Sequence, residues 1–118
     1  MSEHEHQAAL FKWAEAMSGH FPELQLLFAV PNGGYRHIAT ARKLKKEGVK
    51  AGVPDVWLPV NRGEYSGLIL EFKFGKNKPT AVQNWWMEKL KHNKYMVAVV
   101  WDWLDAKDYI VRYLKLLK

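Results

Sequence analysis

The stretch from residue 67 to residue 101 constrains the fold most, because it reads as two buried strands separated by one helix. The runs "GLILEFKFG" (67–75) and "YMVAVVW" (95–101) are apolar and of strand length, and a helical pattern starts at Pro79 and continues to about Asn93. A helical connection of this kind is typical of a crossover between parallel strands. We therefore predict a parallel strand pair with a helix packed against it.

The rest of the chain adds further elements around this unit. Helices are predicted at 3–19, 35–48 and 105–118, and strands at 24–30 and 52–60. The loop "NRGEYSG" (61–67) predicts a hairpin between the strand of 52–60 and the strand of 67–75. The order α-β-α-β-β-α-β-α implies an α/β fold in which a mixed four-stranded sheet is flanked by helices, in one domain covering residues 1–118.

Composition excludes several classes of protein. The 118 residues contain no cysteine, which excludes a disulfide scaffold, a thiolate zinc site and a cysteine nucleophile. The opening "MSEHEHQAALF" lacks the basic and apolar regions of a signal peptide. No run approaches the roughly 20 apolar residues that a membrane span needs. We therefore expect a cytoplasmic protein with no membrane partner.

The charge balance favours a polyanionic partner. Lys and Arg number 18 against 12 Asp and Glu, which gives a formal net charge of +6. Nucleic acid is the commonest polyanion for a basic domain of this size, although a basic helix can also be a solvated surface. The candidates for nucleic-acid contact lie in and beside the basic segment 35–50, and they are Asn32, Arg36, Arg42, Lys43, Lys45, Lys46 and Lys50. A simple turn role is the alternative for Asn32, in "PNGG".

Two opposite charges interrupt the apolar run of 67–75. Because strand side chains alternate between faces, Glu71 and Lys73 share one face, roughly 6–7 Å apart. An acid-x-Lys pair is not specific by itself, and Asp105 with Lys107 forms another at a helix start, where the acid favours the helix dipole. The opposite face is predicted to anchor the strand in the core through Leu68, Leu70, Phe72 and Phe74.

Asp55 is the residue that gives this pair a chemical context. It begins the strand that the hairpin brings beside Glu71, so the two carboxylates converge at one end of the sheet. Two carboxylates with a lysine beside them form a hard-cation site of the Mg²⁺ type, and a cation relieves their mutual repulsion. The alternative is that Asp55, which follows Pro54, is a turn or strand-entry residue.

The first helix offers a third carboxylate. At about 100° per residue, Glu3 lies on the apolar stripe with Leu10 and Ala14 and points at the sheet, whereas Glu5 lies nearly opposite and points at water. The alternative for Glu3 is an acid that only stabilises the helix dipole.

Gln83 also has two interpretations. Thr80 and Gln83 fit a capping box, which is a structural role. Gln83 also shares a helical face with Trp86, so its amide can equally point inward towards the site. The two roles do not exclude one another.

These features together resemble the PD-(D/E)xK nuclease superfamily. "PD" at 54–55 and "ExK" at 71–73 match its pattern, and "EHEHQAALFKWA" resembles the E-x-x-x-Q opening helix of its VRR-NUC family. Similar blocks follow in the same order over nearly the whole chain, namely "LLFAVPNGGYR", "LKKEGVKAGVPDVWLPV", "GLILEFKFG" and "TAVQNWW". The likeness is greatest to small stand-alone phage and bacterial members.

The resemblance implies a restriction-endonuclease-like fold with an αβββαβ core and metal-dependent hydrolysis of DNA phosphodiester bonds. The implied cofactor is Mg²⁺ or Mn²⁺, with no small-molecule cofactor. The implied metal ligands are Asp55, Glu71, the main-chain carbonyl of Phe72 and Glu3. Lys73 would act in catalysis with the ligands, and Gln83 would be the accessory polar residue. Glu5 or His6 replaces Glu3 if the helix begins later.

Small stand-alone members of the family are similar to homodimeric Holliday-junction resolvases. The resemblance therefore implies a structure-selective endonuclease that acts on branched DNA as a homodimer. Of six tryptophans, Trp13 and Trp86 are predicted in the core, and Trp85, Trp101 and Trp103 are candidates for an interface. The alternatives are a non-catalytic nucleic-acid-binding module, or a nuclease that acts on flap or linear DNA or on RNA.

Overall fold

A mixed sheet organises the part of the chain that the structure, a computed structural model, describes, which is residues 1–31 and 38–118. The described helices are α1 (Glu3–Met17), α2 (Ile38–Lys46), α3 (Ala81–His92) and α4 (Trp103–Leu114), with a 3₁₀ turn at Pro22–Leu26. The strands are β1 (Phe28–Ala29), β2 (Val56–Leu58), β3 (Gly67–Phe72) and β4 (Tyr95–Val100). No helix among the described residues is both long enough and apolar enough to cross a lipid bilayer.

The four strands lie in the order β1-β2-β3-β4. β2 pairs antiparallel with β1 and with β3, and Val56 is opposite Leu70. β3 and β4 are parallel, with Phe72 opposite Val100, and α3 is the crossover between them. The predicted fold class, an α/β fold with a mixed four-stranded sheet flanked by helices, is confirmed.

The two faces of the sheet are covered by different helices. The core lies on the face that carries Leu70, where α1 contributes Leu10 and α4 contributes Ile110. Because neighbouring strand residues point to opposite faces, Glu71 lies on the other face. α3 covers that face, since Gln83 Nε2 donates a hydrogen bond to Glu71 Oε2 at 3.3 Å. The charged residue of β3 therefore lies between the sheet and α3.

Several predicted elements differ from the structure; the helix predicted at 105–118, for example, is α4 at Trp103–Leu114. The strand predicted at 24–30 is a 3₁₀ turn followed by a two-residue β1, because Pro22 at its head favours a helical start. The strand predicted at 52–60 shortens to β2, since Gly52 turns the chain with φ +83°. Phe74 is 48% exposed and is not a core anchor, because a turn with Gly75 at φ +57° ends the strand.

The tryptophans predicted in the core are only partly buried. Trp13 packs against the core cluster from α1. Trp86 lies half-buried on α3, where its indole Nε1 donates to the carbonyl of Ala51 at 3.0 Å.

Buried polar contacts fix the β2–β3 hairpin to the helices. The Tyr113 hydroxyl of α4 donates to the carbonyl of Val60 at 2.6 Å, and the tyrosine is 1% exposed. Arg62, in the same hairpin, is buried and forms an ion pair with Glu23. A carbonyl buried without its donor loses free energy, so Tyr113 stabilises the hairpin through its hydroxyl as well as its ring.

We expect Tyr113→Phe to lower the free energy of unfolding by about 1–2 kcal/mol, because the buried carbonyl of Val60 loses its donor. Tyr109→Phe, on the exposed side of α4, is the matched control and should change it by less than about 0.5 kcal/mol. Urea denaturation measures both variants. Equal losses in the two variants would contradict the assigned role of the hydroxyl.

Candidate active site

The polar candidates lie at one edge of the sheet. β3 and β4 are parallel and β2 is antiparallel to them, so the ends of β3 and β4 meet the start of β2 at this edge. Glu71 is on β3, Lys73 follows the end of β3, and Asp55 immediately precedes β2. The topology therefore brings these three residues together from two separate segments of the chain.

Glu71 and Lys73 are charged side chains that the fold withdraws from water. Glu71 is 1% exposed and Lys73 is 9% exposed. Lys73 Nζ lies 3.9 Å from Glu71 Oε2, so the two groups form a loose ion pair when the carboxylate is ionised. Such residues are almost never buried unless they are paired, since removing a charge from water costs several kcal/mol. This edge therefore holds charge at the expense of stability.

Asp55 is fixed by the backbone on both sides. Its Oδ2 accepts a hydrogen bond from the N–H of Phe72 at 3.0 Å, and its carbonyl accepts one from the N–H of Val30 at 2.8 Å. The side chain thus points from the start of β2 to the neighbouring strand β3, which carries Glu71. Asp55 does enter the strand, as one interpretation held, but its carboxylate is also directed at the site.

Gln83 combines the two roles that its sequence position allows. Its Oε1 accepts from the N–H of Thr80 at 2.9 Å, and its own N–H donates to Thr80 Oγ1 at 3.2 Å, which forms a capping box. The amide nitrogen of the same side chain donates to Glu71 Oε2 at 3.3 Å. One side chain therefore caps α3 and holds the carboxylate of Glu71.

The electrostatics of the edge favour a neutral Glu71 in the absence of a cation. Burial and the nearby negative charge of Asp55 raise the pKa of Glu71 to about 9, and the positive charge of Lys73 opposes this shift only in part. Glu71 Oε1 is buried, and no group among the described residues forms a hydrogen bond with it. A buried oxygen without a partner beside a second carboxylate is the donor set that a divalent cation would fit.

Among the described residues, no third carboxylate joins Asp55 and Glu71 in a metal-binding cluster. No group of three or more Asp, Glu, His or Cys side chains arranged to hold a metal occurs within 1–31 and 38–118. Glu3 is half-buried in the first turn of α1. The fold nevertheless brings this turn towards the same edge of the sheet, because His6 Nδ1 accepts a hydrogen bond at 3.1 Å from the N–H of Trp103, just beyond the end of β4.

The alternatives to Glu3 have structural partners. Glu5 is exposed and forms the α1 capping box with Ser2, whose backbone N–H lies 3.2 Å from Glu5 Oε1. The backbone and side-chain hydrogen bonds of Ser2 lower the pKa of Glu5. His6 uses Nδ1 to accept from α4. These contacts favour Glu3 over Glu5 and His6, and the assignment of Glu3 stays a prediction.

The basic candidates lie on the segment that leads into the site. Arg42, Lys43, Lys45 and Lys46 of α2 and the following Lys50 are all exposed. Asn32 and Arg36 lie outside the described residues. The segment after α2 packs on α3, where an added Cβ at Gly52 would lie 2.4 Å from Val82 Cγ1. The nucleic-acid role of these residues stays a prediction.

Sequence reasoning missed two features of this edge. Phe74 and Trp101 are exposed side chains that follow the ends of β3 and β4, and they were assigned to the core and to a protein interface. The sequence signal that could have indicated these exposed side chains is an aromatic residue just beyond the end of each of the two strands. The contact between the Gly52 loop and α3 was also missed, since sequence offers no measure of such proximity.

Comparison with known proteins shows a likeness to a solved structure. A solved structure described as "VRR_NUC domain protein" superposes on this chain with a TM-score of 0.84 and 29% sequence identity. The match covers 100% of this chain and 92% of the other. A scan against protein-family models and a search of curated proteins gave no match.

We expect the stability of the metal-free protein to fall as pH rises from 4.5 to about 9, because folded Glu71 retains a proton that the unfolded chain releases. Glu71→Gln should remove this part of the slope, since an amide does not titrate. Urea denaturation in EDTA at several pH values measures the effect. The control is Glu64→Gln in the exposed loop before β3, which should keep the wild-type slope. Identical slopes in all three proteins would contradict the burial of a protonated Glu71.

Proposed function

With its resemblance to the VRR-NUC family confirmed over the full chain, we propose that this nuclease-type domain, residues 1–118, is a divalent-metal-dependent endodeoxyribonuclease. It hydrolyses phosphodiester bonds in DNA. The observation that carries the proposal is the buried pair of Glu71 and Lys73 with Asp55 directed at it across the sheet. A DNA substrate fits an intracellular setting.

The donor set at the edge suits Mg²⁺ or Mn²⁺. Asp55, Glu71 and the main-chain carbonyl of Phe72 would hold the ion, and Glu3 would complete the set from α1. The buried Oε1 of Glu71, which has no hydrogen-bond partner among the described residues, supports this assignment. When bound, the ion supplies Lewis-acid polarisation of the scissile phosphate and lowers the pKa of a coordinated water.

The remaining roles belong to the side chains themselves. Lys73 places an ammonium group beside the phosphate, where it orients the attacking water or stabilises the negative charge that develops on phosphorus oxygens. Gln83 holds Glu71 Oε2 and so keeps the carboxylate in one orientation. Burial strengthens the attraction of the Lys73 ammonium for the phosphate and the hydrogen bond from Gln83 to Glu71, because the surrounding dielectric constant is low.

The basic surface supplies binding rather than chemistry. Arg42, Lys43, Lys45, Lys46 and Lys50 would contact the DNA backbone, together with Asn32 and Arg36. A net charge of +6 supports such contacts and predicts that binding weakens as salt concentration rises.

Branched DNA and a homodimer complete the proposal. A symmetric dimer places two active sites on symmetry-related strands of a four-way junction, which suits a Holliday-junction resolvase. Of the three tryptophans considered for an interface, Trp85 and Trp101 are exposed at 55% and 44%, whereas Trp103 is partly buried against the core.

A non-catalytic binding module is the principal alternative. Binding to a phosphate backbone requires exposed positive charge, and it does not require a buried carboxylate with an oxygen that lacks a partner. The cost of burying Glu71 therefore favours a catalytic function.

We expect Lys73→Ala and Asp55→Ala to lower cleavage at least 100-fold, because the first removes charge stabilisation and the second removes a metal ligand. The substrates are labelled Holliday junction, flap, linear duplex and RNA, with Mg²⁺ or Mn²⁺. Mg²⁺ should raise the melting temperature of Lys73→Ala but not that of Asp55→Ala. Lys115→Ala, an exposed residue after α4, is the control and should cleave normally. Unchanged cleavage by Lys73→Ala or by Asp55→Ala would contradict the proposed nuclease function.

We expect Glu3→Gln to reduce cleavage while stability is retained, because Glu3 would contribute a metal ligand. Glu5→Gln should retain cleavage, with a stability loss of about 0.5–1 kcal/mol from the weakened capping box. Cleavage rates and urea denaturation of the two variants distinguish them. The reverse pattern would assign the helix carboxylate to Glu5.

A further inference from the structure

Two exposed aromatic side chains lie at the catalytic edge. The parallel register of β3 and β4 ends at Phe72 opposite Val100, and the N–H of Lys73 then donates to the carbonyl of Val100 at 2.9 Å. Lys73 and Trp101 are thus the next residues on the two adjacent segments. Trp101 is 44% exposed, and Phe74, which follows Lys73, is 48% exposed.

The Trp101 ring differs from other tryptophans near the surface. Trp85 packs edge-on against Trp86 with Lys89 over its face, and the Trp103 ring lies beneath the ammonium of Lys107. The Trp101 indole has no hydrogen bond, ring contact or cation–π contact with any residue in 1–31 or 38–118. A large apolar ring therefore stays available for a ligand at the edge where chemistry is proposed.

The position of Trp101 limits what that ligand can be. A scissile phosphate that reaches Lys73 brings the flanking nucleotides to the same edge of the sheet. Every nucleobase has a π-face that stacks on an aromatic side chain, but a base in a continuous duplex has both faces occupied. Only an unpaired or splayed base can offer a face to the indole.

We propose that Trp101 stacks on an unpaired base next to the scissile phosphate and so favours DNA with unpaired nucleotides at the cut. The inference rests on the proposed nuclease function and adds a source of substrate selectivity. A second copy of the chain is the competing occupant. It fits less well, because a protein surface on Trp101 would obstruct access of a phosphate to Lys73.

Two substitutions at one position test stacking against simple hydrophobic contact. Trp101→Phe keeps an aromatic face, and Trp101→Leu keeps apolar bulk without one. Cleavage is compared on two duplexes of the same sequence, one fully paired and one with a bulge of unpaired bases. We expect Trp101→Leu to lower kcat/KM on the bulged duplex by about tenfold relative to the paired duplex, and Trp101→Phe to keep most of the wild-type ratio. Tyr109→Leu, on the exposed side of α4, is the control and should leave the ratio unchanged.

A binding measurement separates failure of this inference from failure of the nuclease proposal. A bulged duplex carries 2-aminopurine at an unpaired position and is bound by the Lys73→Ala protein in Mg²⁺. Stacking on Trp101 should quench its fluorescence, and further substitution of Trp101 by Leu, but not by Phe, should relieve the quenching. Quenching without cleavage by the wild-type protein would overturn the nuclease proposal and keep the stacking role.

Three results would overturn the stacking role. The first is equal cleavage ratios for the Phe and Leu variants, and the second is quenching that Trp101→Leu leaves unchanged. The third combines two observations on Trp101→Leu: light scattering gives half the molar mass of the wild-type protein, and the ratio of cleavage on the bulged and paired duplexes is unchanged. This result would assign Trp101 to contact with a second copy of the chain.

Discussion

Burial of β3 on both faces is the constraint on which the rest of the structure depends. All six of its residues are buried, and β2 and β4 occupy its two edges. A glutamate in such a strand cannot be hydrated, so its charge must be neutralised by a proton or offset by a cation. The surrounding residues follow from this requirement, since Gln83 donates to the carboxylate, Lys73 supplies positive charge and Asp55 supplies a second set of oxygens. The fold thus holds an unfavourable carboxylate pair in place, and the apolar core on the opposite face offsets its cost in stability.

Much of this fold could be predicted from local pattern. The order of helices and strands, the parallel crossover and the hairpin were readable because apolar runs, turn residues and helical periodicity are all short-range signals. The errors lie where one residue overrides its neighbours, as Pro22 does before β1 and Gly75 does after β3. An alternating pattern suggested that Phe74 anchored the core, but alternation applies only while the strand continues.

The site was predictable only in part, for a different reason. Glu71 and Lys73 share a face through strand geometry alone, whereas the approach of Asp55 depends on the hairpin register and was inferred from pairing. Predicting that Gln83 contacts both Thr80 and Glu71 would require the distance between α3 and β3, and the spacing of residues in the sequence does not specify that distance. Glu3 shows the limit of helical periodicity, which gives the direction of a side chain relative to its own helix but not its separation from a strand.

The glycine at position 52 has a consequence for how related chains are compared. An added Cβ there would meet both the side chain and the backbone of Val82, the residue before Gln83, and φ is +83°. Any other residue at this position would displace the start of α3, and the amide that orients Glu71 would move with it. A chain can therefore keep every charged residue of the edge and still misalign them by one substitution at a residue with no functional group. Whether a homologue retains the geometry of this edge is therefore better judged by whether its residue at position 52 allows the close approach to α3 than by its acidic and basic residues alone.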